Sequence, residues 1–172
     1  MTTKHGIELE DLSKTFGTLK AVQHLNLRIA PGEFFAFLGP NAAGKTTTIK
    51  MLVGLLKPTS GRALLGGFDI QKDPVEAKKL ISYVPDFPFL YEKLTVGEIL
   101  DLTGQLYGMT ESDTAKQRDY WIDYLHLGEY RHELIENLSH GTRQRVVFAA
   151  SFMHNPKIMI VDEPMVGLDP RI

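Results

Sequence analysis

The chain contains no cysteine, which removes disulfides, thiolate metal sites and cysteine nucleophiles, and fits a reducing compartment. It also lacks a charge excess. Nineteen Lys and Arg stand against 21 Asp and Glu, a formal net charge of -2, so no DNA- or RNA-tracking surface is indicated. Long apolar runs are missing too. The longest, Val146 to Met153, falls far short of the roughly 20 residues a membrane span needs. The polar start Met-Thr-Thr-Lys-His-Gly is not followed by an apolar signal segment. There is no internal repeat and no low-complexity segment, and the histidines at 5, 24, 126, 132 and 154 show no metal-ligand spacing. The chain reads as soluble, with membrane contact only through a partner. Its 172 residues, 43% of them hydrophobic, allow one core of ordinary size, and one compact unit is expected.

What is present is a phosphate-binding pattern. Gly39-Pro40-Asn41-Ala42-Ala43-Gly44-Lys45-Thr46 satisfies G-x-x-x-x-G-K-S/T. It follows the apolar run Phe34 to Leu38, which predicts a buried strand, and opens a helix over Thr46 to Val53. A slim loop between strand and helix can turn backbone N–H groups inward while the helix N-terminus adds its positive dipole end. A triphosphate fits such a cradle. Lys45 would reach the outer phosphates, and the Thr46 hydroxyl would ligate the bridging Mg2+.

Around this motif, Ile7 to Glu10 and Leu25 to Ile29 alternate apolar and polar residues, as half-buried antiparallel strands do. Phe34 to Leu38 and Ile158 to Val161 are instead continuous apolar runs, the pattern of parallel strands covered on both faces. Short strands are expected at Arg62 to Leu65 and Ile81 to Val84. A capping box at Thr95 and Glu98 starts an amphipathic helix bearing Ile99, Leu102 and Leu106. A second helix, Ser112 to Leu127, ends at Gly128, with Trp121 as packing anchor. Thr142 to Met153 forms a third, broken by Asn155-Pro156. The fold class is α/β, a mixed sheet with an N-terminal antiparallel β subdomain and a helical insertion. Within a single domain 1–172, residues 1–84 form the β subdomain and phosphate-loop core and 85–138 the helical insertion. Residues 139–172 supply the last helix, the strand Ile158 to Val161 and the loop after it.

A second chemical motif closes the apolar strand Ile158 to Val161: the carboxylates Asp162 and Glu163 stand at its C-terminal end, where ligands gather in open parallel sheets. Asp162 can hold Mg2+ through water, and Glu163 is placed to polarise a nucleophilic water. A third element is Leu138-Ser139-His140-Gly141-Thr142-Arg143-Gln144-Arg145, which resembles the L-S-G-G-Q signature of ATP-binding-cassette ATPases. Phe16-Gly17 with Ala21-Val22 resembles their adenine-stacking loop, and Gly167-Leu168-Asp169-Pro170 their D-loop. Val84-Pro85-Asp86 followed by Leu90 to Val96 is similar to the lid-loop segment. The set covers essentially the whole chain in the family's order, and the resemblance implies the P-loop NTPase fold.

The resemblance implies ATP and Mg2+ as cofactors. The nucleotide would be bound by Phe16, Gly39, Pro40, Asn41, Ala42, Ala43, Gly44, Lys45, Thr46 and Thr47, with Ser139 and Gly141 serving a partner's γ-phosphate. Thr46, Asp86 and Asp162 would serve the metal, and Glu163 and Lys45 catalysis. It implies head-to-tail pairing with a second ATP-binding subunit, a transmembrane permease docked on the helical insertion, and a cytoplasmic location on the inner face of the membrane through that permease. Similarity to exporter cassettes favours export. Three motifs depart from the family pattern. Ala42 and His140 stand where glycine is usual, and Thr142 and Asp86 stand where glutamine is. A histidine beside a phosphate could add a donor. The chain stops just after the D-loop, before the family's switch histidine, and reads as part of a longer cassette. Two alternatives remain: a nucleotide-gated regulatory or interaction module with little turnover, and a cassette ATPase acting on DNA or ribosomes. Glu163 argues against the first and the near-neutral charge against the second.

Overall fold

The computed structural model describes residues 6–40, 42–86 and 89–162. Where the composition favours one compact unit, the packing separates into two, Met1–Ile81 and Ser82–Ile172.

In the first unit, β1 (Ile7–Phe16), β2 (Leu19–Ile29), β3 (Ser60–Leu65) and β4 (Phe68–Asp69) form an antiparallel sheet in the order β2-β1-β3-β4. The alternation at 7–10 and 25–29 marks only parts of β1 and β2, because the pairing register shifts beyond Leu9. Asp11 and His24 take left-handed φ values of 50° and 47° there, and His24 Nδ1 lies 2.7 Å from Asp11 Oδ1. Gly61, itself at φ 76°, faces this bulge, and a Cβ on it would collide with the Asp11 carbonyl. Helix α1 (Lys45–Leu52) packs against β2 and β3, and α2 (Pro74–Lys79) against β4. Leu9, Leu12, Met51, Leu52, Leu65 and Ile70 are buried there.

One expected element differs. Residues 34–38 form no strand: they have no ladder partner among the described residues, and Phe34 and Leu38 are 96% and 91% exposed. An apolar run becomes a strand only when neighbours accept its backbone hydrogen bonds. The side chains of Phe35 and Phe37 meet edge to face at 5.1 Å.

In the second unit, β5 (Ile81–Val84) pairs with β6 (Ile158–Val161). The Asp162 amide donates to the Val84 carbonyl at 2.9 Å, so the C-terminal ends of the two strands lie side by side. Three helices, α3 (Val96–Leu106), α4 (Glu111–Tyr124) and α5 (His140–Phe152), enclose a core of Leu100, Ile122, Leu127, Ile135, Val146 and Met153. Trp121 anchors it as its size suggests, stacking on Phe152 at 4.8 Å. Gly104 lets α3 approach α4, since a Cβ there would meet the Thr114 side chain at 2.5 Å. No helix among the described residues is long and apolar enough to cross a membrane.

The capping box of α3 is formed as its sequence requires. The Thr95 hydroxyl accepts from the Glu98 amide at 3.2 Å, and Glu98 Oε2 accepts from the Thr95 amide at 2.8 Å. Those hydrogen bonds, the Thr95 amide first, hold the Glu98 carboxyl below its usual pKa of 4.5. A depressed carboxyl stabilises the fold above its unfolded value, and that contribution is lost as pH falls through the folded value. Thr95→Ala should therefore cost about 0.5–2 kcal/mol at neutral pH in denaturant melts. The difference between wild type and Glu98→Gln should narrow below about pH 4.5.

Candidate nucleotide site

The phosphate loop is built by a close approach of chain to chain. Gly44 caps α1 with φ 86°, and a Cβ on it would lie 2.5 Å from the Ala21 carbonyl oxygen and 3.1 Å from Val22 Cγ2. Only glycine permits both the left-handed turn and this seat on β2. Downstream the helix is anchored by Thr48, whose amide and hydroxyl both donate to the Gly44 carbonyl, at 2.8 and 2.9 Å. Its buried side chain locks the first turn.

This turn is prepared for an anion. No side chain caps α1 and no acidic residue lies in its first turn, so its N-terminal N–H groups and dipole meet no competing charge of their own turn. Lys45 Nζ curls over the loop and donates to the carbonyls of Gly39 at 2.7 Å and Pro40 at 2.8 Å. The ammonium thus lies within the loop itself. Ala43 and Thr46 lie beside it, neither of them buried, and the Ala43 amide turns back to Pro40 O at 3.3 Å. These residues fit a phosphate chain with a divalent cation: slim backbone, a fixed ammonium and an accessible threonine hydroxyl. Asn41 lies outside the described residues. Phe16 ends β1 partly exposed, with the Lys14 ammonium 5.1 Å from its ring centroid.

The remaining predicted residues belong to the second unit. Asp162 is buried at the end of β6 and Asp86 follows β5. Both are near Tyr83, whose hydroxyl pKa is raised first by burial and then by the charges of Asp162 and Asp86. Tyr83 carried no motif signal, and only the adjacency of β5 and β6 identifies it. Glu163 and the residues 167–170 lie outside the described residues.

Ser139 is the N-cap of α5, its hydroxyl accepting from the Thr142 amide at 3.2 Å. Thr142, in the place of the usual glutamine, is buried and contacts the Ser139 hydroxyl at 2.9 Å. Arg145 Nη2 donates to the Thr142 hydroxyl at 3.2 Å. Its Nη1 donates to the carbonyls of Leu125 (3.0 Å) and His126 (2.9 Å) at the end of α4. Arg143 donates to Leu138 O and Glu136 O, at 3.1 and 2.7 Å, fixing the turn before the signature. Neither arginine stands out in sequence, because a lone cation in a helix carries no periodic signal. Gly141 is exposed, and a Cβ there would meet nothing within 4 Å among the described residues. His140 lies on the α5 stripe 140, 143, 144 and 147, which walls a groove with Asp86, Leu90 and Tyr91.

Ala42 has φ 65°, the left-handed conformation that a Cβ resists by roughly 1–2 kcal/mol. Ala42→Gly relieves this and gives back about 0.5–1 kcal/mol to the freer unfolded chain. The expected net gain is about 0.5–1 kcal/mol, read as a raised denaturant midpoint at unchanged slope.

Residues 22–166 match the family described as ABC transporter. The linearmycin resistance ATP-binding protein LnrL of Bacillus subtilis (strain 168) is 38% identical over 96% of this chain and 53% of its own length. The bacitracin transport ATP-binding protein BcrA of Bacillus licheniformis is 37% identical over 95% of this chain and 53% of its own length. The chain thus spans about half the length of these relatives. A solved structure of an ATP binding subunit of an ABC transporter matches with a TM-score of 0.87 at 31% identity, covering 95% of this chain and 68% of that one. With a family match over residues 22–166, the chain belongs to the ABC transporter family.

Proposed function

We propose that this chain binds and hydrolyses Mg-ATP as the ATP-binding subunit of an export transporter. The observation that carries the reading is the phosphate loop, where Gly44 holds an uncapped helix N-terminus free of acidic residues and Lys45 lies over the loop carbonyls. Oxygens of a bound triphosphate would take over the Lys45 ammonium and the first-turn N–H groups, and the Thr46 hydroxyl would face the metal. Asp162 would hold that metal through water, and Glu163 would accept a proton from the attacking water. Bound Mg2+ supplies charge neutralisation between the phosphates. Each of these groups gains most when charge moves to the leaving phosphate, which is where stabilisation accelerates reaction.

Gly141 supports a composite site. Among the described residues a Cβ on it would meet nothing within 4 Å, which leaves the N-terminus of α5 open to a group approaching from outside. A γ-phosphate held by a second ATP-binding subunit is such a group, and it would meet the N-terminus of α5 beside Ser139. Two subunits would then close on ATP and part after hydrolysis, a movement passed to a transmembrane permease. The names of the relatives, which concern linearmycin resistance and bacitracin transport, favour export as the direction.

Lys45→Ala should lower ATP turnover of the purified protein by about 10²–10³-fold and weaken ATP binding. Glu163→Gln should retain ATP binding and lose turnover, separating positioning from water activation. Turnover of Glu163→Gln at the wild-type rate would refute the assigned proton acceptor.

A further inference from the structure

Lys14 stands two residues before Phe16 in β1, and the phosphate-loop chemistry makes no use of it. Its ammonium lies over the Phe16 ring, 5.1 Å from the centroid, while donating to the Lys57 carbonyl at 2.7 Å. An ammonium within about 6 Å of a ring centre is attracted by the negative face of the ring. Each contact steadies the other, and the cation is tied to main chain rather than to a movable acid. The hairpin does not need this link to stay in place. The Thr59 amide donates to the Ser13 carbonyl at 2.8 Å, and the Thr59 hydroxyl accepts from the Thr15 amide at 3.0 Å. Phe16 meanwhile remains 46% exposed, and its ladder partner Leu19 65%. The ring is thus oriented without being packed away. Ordering an exposed ring gains the chain little burial, but it prepares a flat surface for a ligand.

The acceptor on Lys57 relates this ring to the phosphate loop. The amides of Leu55 and Leu56 both donate to the Lys50 carbonyl in the last turn of α1, at 2.9 and 3.0 Å. The carbonyl that holds Lys14 therefore follows directly from the helix whose first turn forms the loop. Ring and loop are referenced to the same helix.

We propose that Lys14 is a positioning residue for the nucleotide base. Its ammonium takes one face of Phe16 and holds the ring so that the other face stacks on a purine. A stacked purine turns its own negative face to the ring, and a cation behind the ring offsets part of that repulsion. Lys14 acts through Phe16 and touches no phosphate. This rests on the nucleotide reading above and adds to it a base-selecting part that the phosphate cradle lacks.

The test compares two ligands of the purified protein by titration calorimetry: Mg-ATP, and Mg-tripolyphosphate, which keeps the phosphate chain and has no base. Lys14→Met, which keeps the length of the side chain and removes its charge, should weaken Mg-ATP binding about threefold, the effect of leaving one contact side chain unordered. Tripolyphosphate binding should not change. Lys14→Arg, which can reach both the carbonyl and the ring, should restore most of the loss for Mg-ATP. Equal weakening of both ligands by Lys14→Met would place Lys14 on the phosphates and overturn the proposal. Unchanged Mg-ATP binding by Lys14→Met, where Phe16→Ala weakens it, would overturn the proposal and leave Phe16 at the base. Wild-type Mg-ATP binding by Phe16→Ala would remove the ring from the site, and Lys14 with it. Failure of the wild type to bind Mg-ATP would instead refute the nucleotide reading itself.

Discussion

The seat of Gly44 against the Ala21 carbonyl is the contact on which the candidate nucleotide site depends. It fixes where α1 starts, and the start of α1 decides where its N–H groups aim. The left-handed turn at Gly44, the double hydrogen bond from Thr48 and the buried residues Ile49, Met51 and Leu52 hold the helix start in that seat. A helix held this way presents a preorganised electrostatic field. It need not be ordered by the ligand, so less binding energy is lost on arrival.

The signature end of α5 shows a different solution. There the chain has replaced the usual glutamine with Thr142 and uses it structurally, as a link between the Ser139 cap and Arg145. Arg145 also ties α5 to the end of α4 and lies 5.8 Å from the Tyr130 ring centroid. Hydrogen bonds from a cation are among the stronger neutral-pH contacts available. The N-terminus of α5 is thereby braced at Ser139, and the departure at 142 becomes part of the scaffold.

Much of this was legible in the residues, for identifiable reasons. The loop motif and the capping box depend on local chemistry within a few positions, so pattern and structure agree at Gly44 and Thr95, whereas α5 starts at His140 with Ser139 as its cap, two residues before the expected Thr142. Strands β5 and β6 agree as well, because each of these apolar runs finds the other as its ladder partner. The run 34–38 misled because apolar content does not reveal whether a ladder partner exists. Strands β1 and β2 extend beyond their alternating segments because the left-handed Asp11 and His24 break the period that marks a strand. His140 stands three, four and seven residues before Arg143, Gln144 and Val147, a helical spacing that places all four on one wall. Tyr83 and Arg145 matter only through residues distant in sequence, which no single-chain pattern exposes.

The central claim is that the loop from Gly39 to Thr47 is a phosphate cradle. Backbone amide exchange tests it most directly, measured by NMR with Mg-ATP and, separately, with adenosine and Mg2+. The account predicts slowed exchange at the amides of Gly44, Lys45, Thr46 and Thr47 with Mg-ATP and no change with adenosine. Unaltered exchange of these amides at saturating Mg-ATP would contradict it.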